Sequence, residues 1–350
     1  MALYTLVSLL FLSLTPVDPT TATTPSPLFA FSWLNDTNAF VAGDTATINV
    51  KVLGDFAPGH RGFVPVVSVN GKEGNSKLVI DMGFEFGEDD VGRWRIRFVV
   101  VTVGVFNVEI REVGFGVMDS LHYFVDAGPM HPAVSVVSWM ESLNEFEAGT
   151  RAMILILPKD AYGNNVPSTN IELNSYGFSV SATFTNGSAA SVLTVTNLGW
   201  NEFGYLRVDF IVATAGDLLL HVERENLTLR GSPLPYKVKP GPLDITRCVA
   251  NWRYGTNALQ LFSKAEVLIY QRDQFKNLVP GLYPFDADIF EQGTNLSIPI
   301  ADLLFREISP GIQLLSFMAT ETGNFLLVIY DTKHNRSISD MPYDFTVFVV

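Results

Sequence analysis

Cysteine is almost missing from this chain: Cys248 is the only one in 350 residues. A lone thiol closes no internal bridge, so a stable domain here must rest on its hydrophobic core. Cys248 reads as a small apolar filler rather than a nucleophile. Basic residues are also scarce, with 23 Lys and Arg against 36 Asp and Glu and a net charge of −13. That balance argues against a nucleic-acid partner, because phosphates need a basic surface. No run reaches the roughly 18 apolar residues of a membrane helix. Sustained helical periodicity is lacking as well. The five histidines, His60, His122, His131, His221 and His334, stand singly, which leaves no zinc-ligand spacing. No Ser/His/Asp set, phosphate loop or dinucleotide fingerprint stands out, so nothing supports an enzyme or a cofactor.

What the chain does have is repetition. Gly92–Phe98–Gly104 recurs as Gly204–Phe210–Gly216 and as Gly311–Phe317–Gly323, with the same six-residue offsets. A second pattern precedes each copy: Trp33–Asn38–Phe40–Ala46, Trp139–Asn144–Phe146–Ala152 and Trp252–Asn257–Leu259–Ala265. Such self-similarity marks three copies of one module. Hydrophobic residues at 47% give modules of this size enough to build cores.

Within a copy the pattern is that of strands. Trp94, Ile96 and Phe98 alternate with Arg93, Arg95 and Arg97, and Leu206, Val208 and Phe210 alternate with Tyr205, Arg207 and Asp209. Period two with one apolar face means a half-buried strand. Copy three is less regular, with Gln313 where the others have Trp94 and Leu206. Past the second glycine alternation resumes at Phe106, Val108 and Ile110 and at its counterparts, so the glycines are expected in turns. Thr45–Leu53 and Arg151–Leu157 add strands, ended by turns at Gly54–Phe56, Asp160–Asn164 and Asp273–Asn277. Many short strands with turn signals predict an all-β fold of three tandem antiparallel sandwiches, about seven strands each.

The expected organisation follows from these marks. Residues 1–27 read as a secretory leader and a Pro/Thr-rich spacer, because Leu3 to Leu14 is apolar but too short to span a bilayer. Gly128-Pro129 and Gly241-Pro242 form stiff joints. They divide the rest into 28–128, 129–241 and 242–350. Because copy three ends where another joint is due, the array is expected to continue in a longer parent chain.

Copy two carries Gly204-x-Leu206-x-Val208-x-Phe210 followed by Gly216, Gly231-Ser232-Pro233 and Tyr236 to Pro242. Together these resemble the filamin-type immunoglobulin-like repeat. Copy one departs at Gly-Ser-Pro and copy three keeps only Met341-Pro342. The resemblance covers about residues 28–350 and implies immunoglobulin-like sandwiches. It also implies a peptide groove beside the third strand, near Phe63–Val69 or its equivalents. A secreted array of such repeats resembles the plant gamete-expressed sperm-surface adhesion family. That resemblance implies cell-surface gamete attachment through a protein partner on an opposing cell, with a membrane anchor elsewhere in the parent chain. The alternative is a cytoplasmic filamin-like scaffold linking actin or signalling partners.

Other patterns are weighed against simpler roles. The acidic run Glu85, Glu88, Asp89 and Asp90 lacks calcium-loop spacing and suits a solvated turn. The Arg93, Arg95 and Arg97 stripe could meet an anionic partner but more often faces solvent beside acids. Trp33, Trp139 and Trp252 could stack on sugars, yet recurrence at one module position favours core packing. Sequons at Asn35, Asn186, Asn226, Asn295 and Asn335 make N-glycosylation an expectation if the chain is secreted.

Overall fold

The computed structural model describes residues 29–53, 63–70, 72–86, 94–112, 116–141, 144–168, 177–294 and 296–349. The leader, the Gly54–Phe56 turn, His60, Gly92, Arg93, Glu88 to Asp90 and Asn295 lie outside the described residues. A first compact unit ends at Asp126 and a second begins at Ala127.

Repeat two shows the module most fully. Strands Val136–Trp139, Arg151–Leu157, Leu206–Val212 and Val192–Trp200 form one sheet in that spatial order. The facing sheet runs Glu145–Glu147, Leu234–Lys239, Gly216–Arg224, Ser179–Phe184, Ala189–Ala190. Alternation places Ile154, Ile156, Leu206 and Val208 from one sheet against Leu218, Leu220 and Val222 from the other. That is two-layer burial of one face per sheet.

Repeats one and three have the same plan. In repeat one Phe29–Trp33, Thr45–Val52, Trp94–Val100 and Val79–Phe86 form the first sheet. Ala39–Val41, Gly116–Asp126, Gly104–Glu112, Phe63–Val69 and Lys72–Glu73 form the second. In repeat three Lys264–Tyr270 and Ile312–Met318 lie central to one sheet, with Tyr343–Phe348 and Gly323–Asp331 central to the other.

Two expectations need refining. The pairing is not wholly antiparallel: Glu145–Glu147 runs parallel to Leu234–Lys239, as Ala39–Val41 and Ala258–Gln260 do with their own last strands. The chain leaves the first sheet after the tryptophan and enters the opposite sheet along its last strand, so one sequence stretch caps both sheets. This split, with two-residue pieces such as Ala189–Ala190, raises the count above seven. The second glycine is also not a turn residue. Gly104, Gly216 and Gly323 each begin a strand, with φ of 147°, 146° and 149°. A phenylalanine ring occupies the Cβ position: Phe106 at 3.1 Å, Phe184 at 2.8 Å and Phe325 at 3.3 Å. Both the positive φ and the close ring favour glycine.

Candidate functional site

The repeated aromatic positions build a framework. Phe98, Phe210 and Phe317 are fully buried or nearly so. Trp33 lies 5.6 Å from Tyr123 and 6.4 Å from Phe98, and Trp139 lies 5.5 Å from Tyr236 and 6.0 Å from Phe210. In repeat three Trp252 meets Phe345 at 5.6 Å, and Phe345 meets Phe317 at 5.9 Å. These are favourable edge-to-face and tilted separations. Trp33 also donates its indole N–H to His122 O at 3.1 Å and Trp139 to Pro235 O at 3.3 Å. Asn38, Asn144 and Asn257 accept backbone N–H bonds from Phe124, Lys237 and Thr346. They thereby tie the sheet-switching segment to the last strand.

Gly204 and Gly311 sit in tight connections with φ of 79° and 76°. Copy three's Gln313 is fully buried, donating to Gln271 Oε1 at 2.8 Å and Tyr283 O at 3.0 Å. A polar pair therefore fills the place of Trp94 and Leu206. Trp94 is itself buried, Arg95 and Arg97 are half-buried, and Cys248 is buried. His221 is half-buried, with Nε2 2.9 Å from Thr183 Oγ1. His334 lies beside the buried Asp331 carboxylate. Among the described residues no cluster of His, Cys, Asp or Glu could hold a metal, and Glu85 belongs to the strand Val79–Phe86.

The Asp–Asn turns prove to be joints. Asp160 Oδ1 accepts from Tyr162 N and Asn164 N, both at 2.9 Å, and its Oδ2 accepts from Gly128 N at 3.1 Å and Asn164 Nδ2 at 2.7 Å. Asp273 repeats the set with Phe275 N, Asn277 N, Gly241 N and Asn277 Nδ2 at 2.8 to 2.9 Å. Each buried carboxylate thus fastens the Gly-Pro joint to its own repeat, with charge-assisted bonds that offset burial. Asn277 goes further. Its Nδ2 donates to Ala213 O at 2.7 Å and its Oδ1 accepts from Ala215 N at 2.8 Å, linking repeat three to repeat two. Phe275 packs against repeat two's core. A Cβ on Gly149 would stand 2.4 Å from its ring.

Exposed strand edges differ between copies. Among the described residues Val192–Trp200 pairs on one side only, with Leu206–Val212, and its nine residues carry no charge. Leu193, Val195 and Leu198 are 53%, 42% and 37% exposed. The equivalent Ala301–Ser309 carries Asp302, Arg306 and Glu307, and Val79–Phe86 carries Asp81 and Glu85. Charges of that kind protect an edge from added strands. Among the described residues the third strand is partly open too: Phe63–Val69 meets Lys72–Glu73 at two positions, and Ser179–Phe184 meets Ala189–Ala190 at two. Among the sequons, Asn35, Asn186, Asn226 and Asn335 are exposed. Ser188 Oγ donates to Asn186 Oδ1 at 2.7 Å.

Comparison with known proteins places this architecture. The model of the GEX2 N-terminal Ig-like domain matches residues 27–125, 133–238 and 246–347. Protein GAMETE EXPRESSED 2 of Arabidopsis thaliana is 52% identical over 248 residues, which are 71% of this chain and 27% of that protein. The chain therefore spans about a quarter of the length of this relative. Among solved structures, the Escherichia coli adhesin FdeC is 16% identical, covering 91% of this chain and 96% of that one, with a TM-score of 0.37. The Lin-41 filamin domain is 17% identical, covering 33% of this chain and all of its own, with a TM-score of 0.24. The family model takes in all three sandwiches, so this chain belongs to the GEX2 N-terminal Ig-like domain family.

Proposed function

We propose that this chain is the recognition part of a cell-surface adhesion protein acting in gamete attachment, with 28–128, 129–241 and 242–350 as its modules. The observation that carries this reading is the 52% identity to GAMETE EXPRESSED 2 over most of the chain. Its partner is a protein on the opposing cell, reached through surface complementarity without catalysis or cofactor. The uncharged Val192–Trp200 edge offers a strand-addition surface, where main-chain hydrogen bonds give affinity and exposed side chains give selectivity. Several weak contacts along an array multiply through effective concentration. Secretion through the leader, with glycans on Asn35, Asn186, Asn226, Asn295 and Asn335, completes the proposal, as does an anchor in the longer parent.

The test is binding of the purified chain to living gametes of the opposite sex, with competition of attachment. The expected result is saturable binding that lowers attachment and is weakened by Leu193→Lys with Val195→Lys. Uniform failure of a folded, glycosylated chain to bind or compete would overturn the adhesion reading. Binding unchanged in the lysine variant would remove the edge from it.

A further inference from the structure

The three copies share their framework, so specificity must lie where one copy departs from the others. One departure is a cleft of about 390 Å³ in repeat two, beside Trp139 and Phe146. Met140 and Met153 form its apolar wall, and Glu141 and Glu145 stand at its rim.

Repeat three shows what fits such a place. Met140 N donates to Met153 O at 3.2 Å, and Arg253 N donates to Glu266 O at 3.0 Å. The backbone is thus in the same register, and Met140 and Met153 occupy the positions of Arg253 and Glu266. In repeat three these two positions hold an ion pair instead. Arg253 Nη1 lies 2.7 Å from Glu266 Oε2, and Tyr254 donates its hydroxyl to the same oxygen at 3.0 Å. The guanidinium carbon also lies 5.5 Å from the centre of the Tyr254 ring. Repeat two has methionine at both of these positions, and the arginine that lines its cleft, Arg151, is taken up by Asp209.

Charge bookkeeping selects the occupant. Glu145 pairs with Lys239 at 2.6 Å, and Arg151, also at the rim, pairs with Asp209 at 3.2 Å. Lys237, opposite Glu145 in strand register, lies outside the cleft lining. Glu141 is exposed and makes no ion pair among the described residues. Two closed pairs and one open carboxylate beside an indole and a phenyl ring suit a single planar cation. A guanidinium can lie over an aromatic face and bond a carboxylate at once. We infer that the Trp139 cleft binds an arginine side chain presented by a partner protein, beside the two positions that carry the Arg253–Glu266 pair in repeat three. This rests on the adhesion reading for its biological meaning only, since the binding itself is tested with a small molecule.

The experiment uses the whole chain with ¹³C-methyl methionine and titrates in N-acetyl-arginine amide. N-acetyl-citrulline amide serves as the neutral probe of the same shape. The expected result is saturable movement of the Met140 and Met153 methyl signals, with a Kd of about 1–20 mM as befits one exposed cation–aromatic contact. Citrulline should bind at least about 5-fold more weakly, and Glu141→Gln should weaken arginine binding by about 3-fold, in line with a surface ion pair. Transplanting that pair by Met140→Arg with Met153→Glu should abolish arginine binding. Unmoved methionine signals, equal response to citrulline, or undiminished binding in the transplanted variant would each overturn the inference. Glu141 is exposed, so its variant folds irrespective of the outcome. A chain that fails to attach to gametes yet binds arginine here would refute the adhesion reading while leaving the cleft intact.

Discussion

Asn277 hydrogen-bonds repeat three to repeat two, and Asn277→Ala removes that grip. The substitution removes the Nδ2 bond to Ala213 O at 2.7 Å and the Oδ1 bond from Ala215 N at 2.8 Å. Within repeat three it removes the Nδ2 bond to Asp273 Oδ2 at 2.8 Å and leaves the Asp273 bonds to Phe275 N and Gly241 N in place. Two hydrogen bonds at about 0.5–1.5 kcal/mol each give about 1–3 kcal/mol of lost coupling between the repeats. Hydrogen exchange at Ala215 reads this directly, because its N–H is bonded to Asn277 and to no strand partner. Its exchange should quicken by about 5- to 150-fold, which is the same energy expressed as a ratio. Amides in the pairing of Lys264–Tyr270 with Ile312–Met318 should be unchanged. Asn277→Asp should be worse than alanine, since it sets a second carboxylate 2.8 Å from Asp273 Oδ2 and loses the donor to Ala213. Ala215 exchange unchanged in Asn277→Ala, or aspartate milder than alanine, would refute this account of the joint.

Three further outcomes follow from the geometry. Gly149→Ala places a methyl 2.4 Å from Phe275 at a φ of 86° and should cost about 1–3 kcal/mol by overpacking and strain. Adding Phe275→Ala should recover part of that loss in denaturant unfolding. The Tyr236 hydroxyl is buried with no hydrogen-bond partner among the described residues, whereas repeat three has Phe345 at that place. Tyr236→Phe should therefore leave stability unchanged or raise it by up to about 1 kcal/mol, measured by thermal melting. Burial pushes the Cys248 thiol up to about 11 from an ordinary 9.0, so the folded chain should resist alkylation at pH 8 and react once unfolded. Stability held by the neutral thiol is fully present below pH 9 and lost as the pH rises toward 11. Tyr123 and Tyr236, both raised by burial, extend that alkaline loss above their ordinary 10.0. Rapid alkylation of native protein at pH 8 would contradict the packing described.

Particular residues show how far a sequence reading reaches. Alternation located the strand beginning at Trp94 because solvent on one face and core on the other impose a period of two. It could not foresee that Gln313 fits the same buried slot, since its acceptor Gln271 lies 42 residues away. The tryptophan spacing marked a recurring core position. The sheet switch after it was hidden, because the parallel bond to the last strand joins residues some 90 positions apart, such as Glu145 and Lys237. The Asp–Asn loops carried an evident turn signal. Their second task, capturing Gly128 and Gly241, depends on contacts 32 residues apart.

By itself the sequence determined the class of structure: three copies, all β, with aromatic cores. Local alternation and repeated spacing are enough for that, because each strand's burial pattern is written in consecutive residues. Only the tertiary structure decided how the copies differ at their edges and joints. It joined repeats two and three through Asn277 and bared one uncharged edge. It also set an Arg253–Glu266 pair in one copy at the positions where another has two methionines beside a cleft. Those outcomes arise from side chains that meet across sheets and between modules, where no local pattern records the encounter.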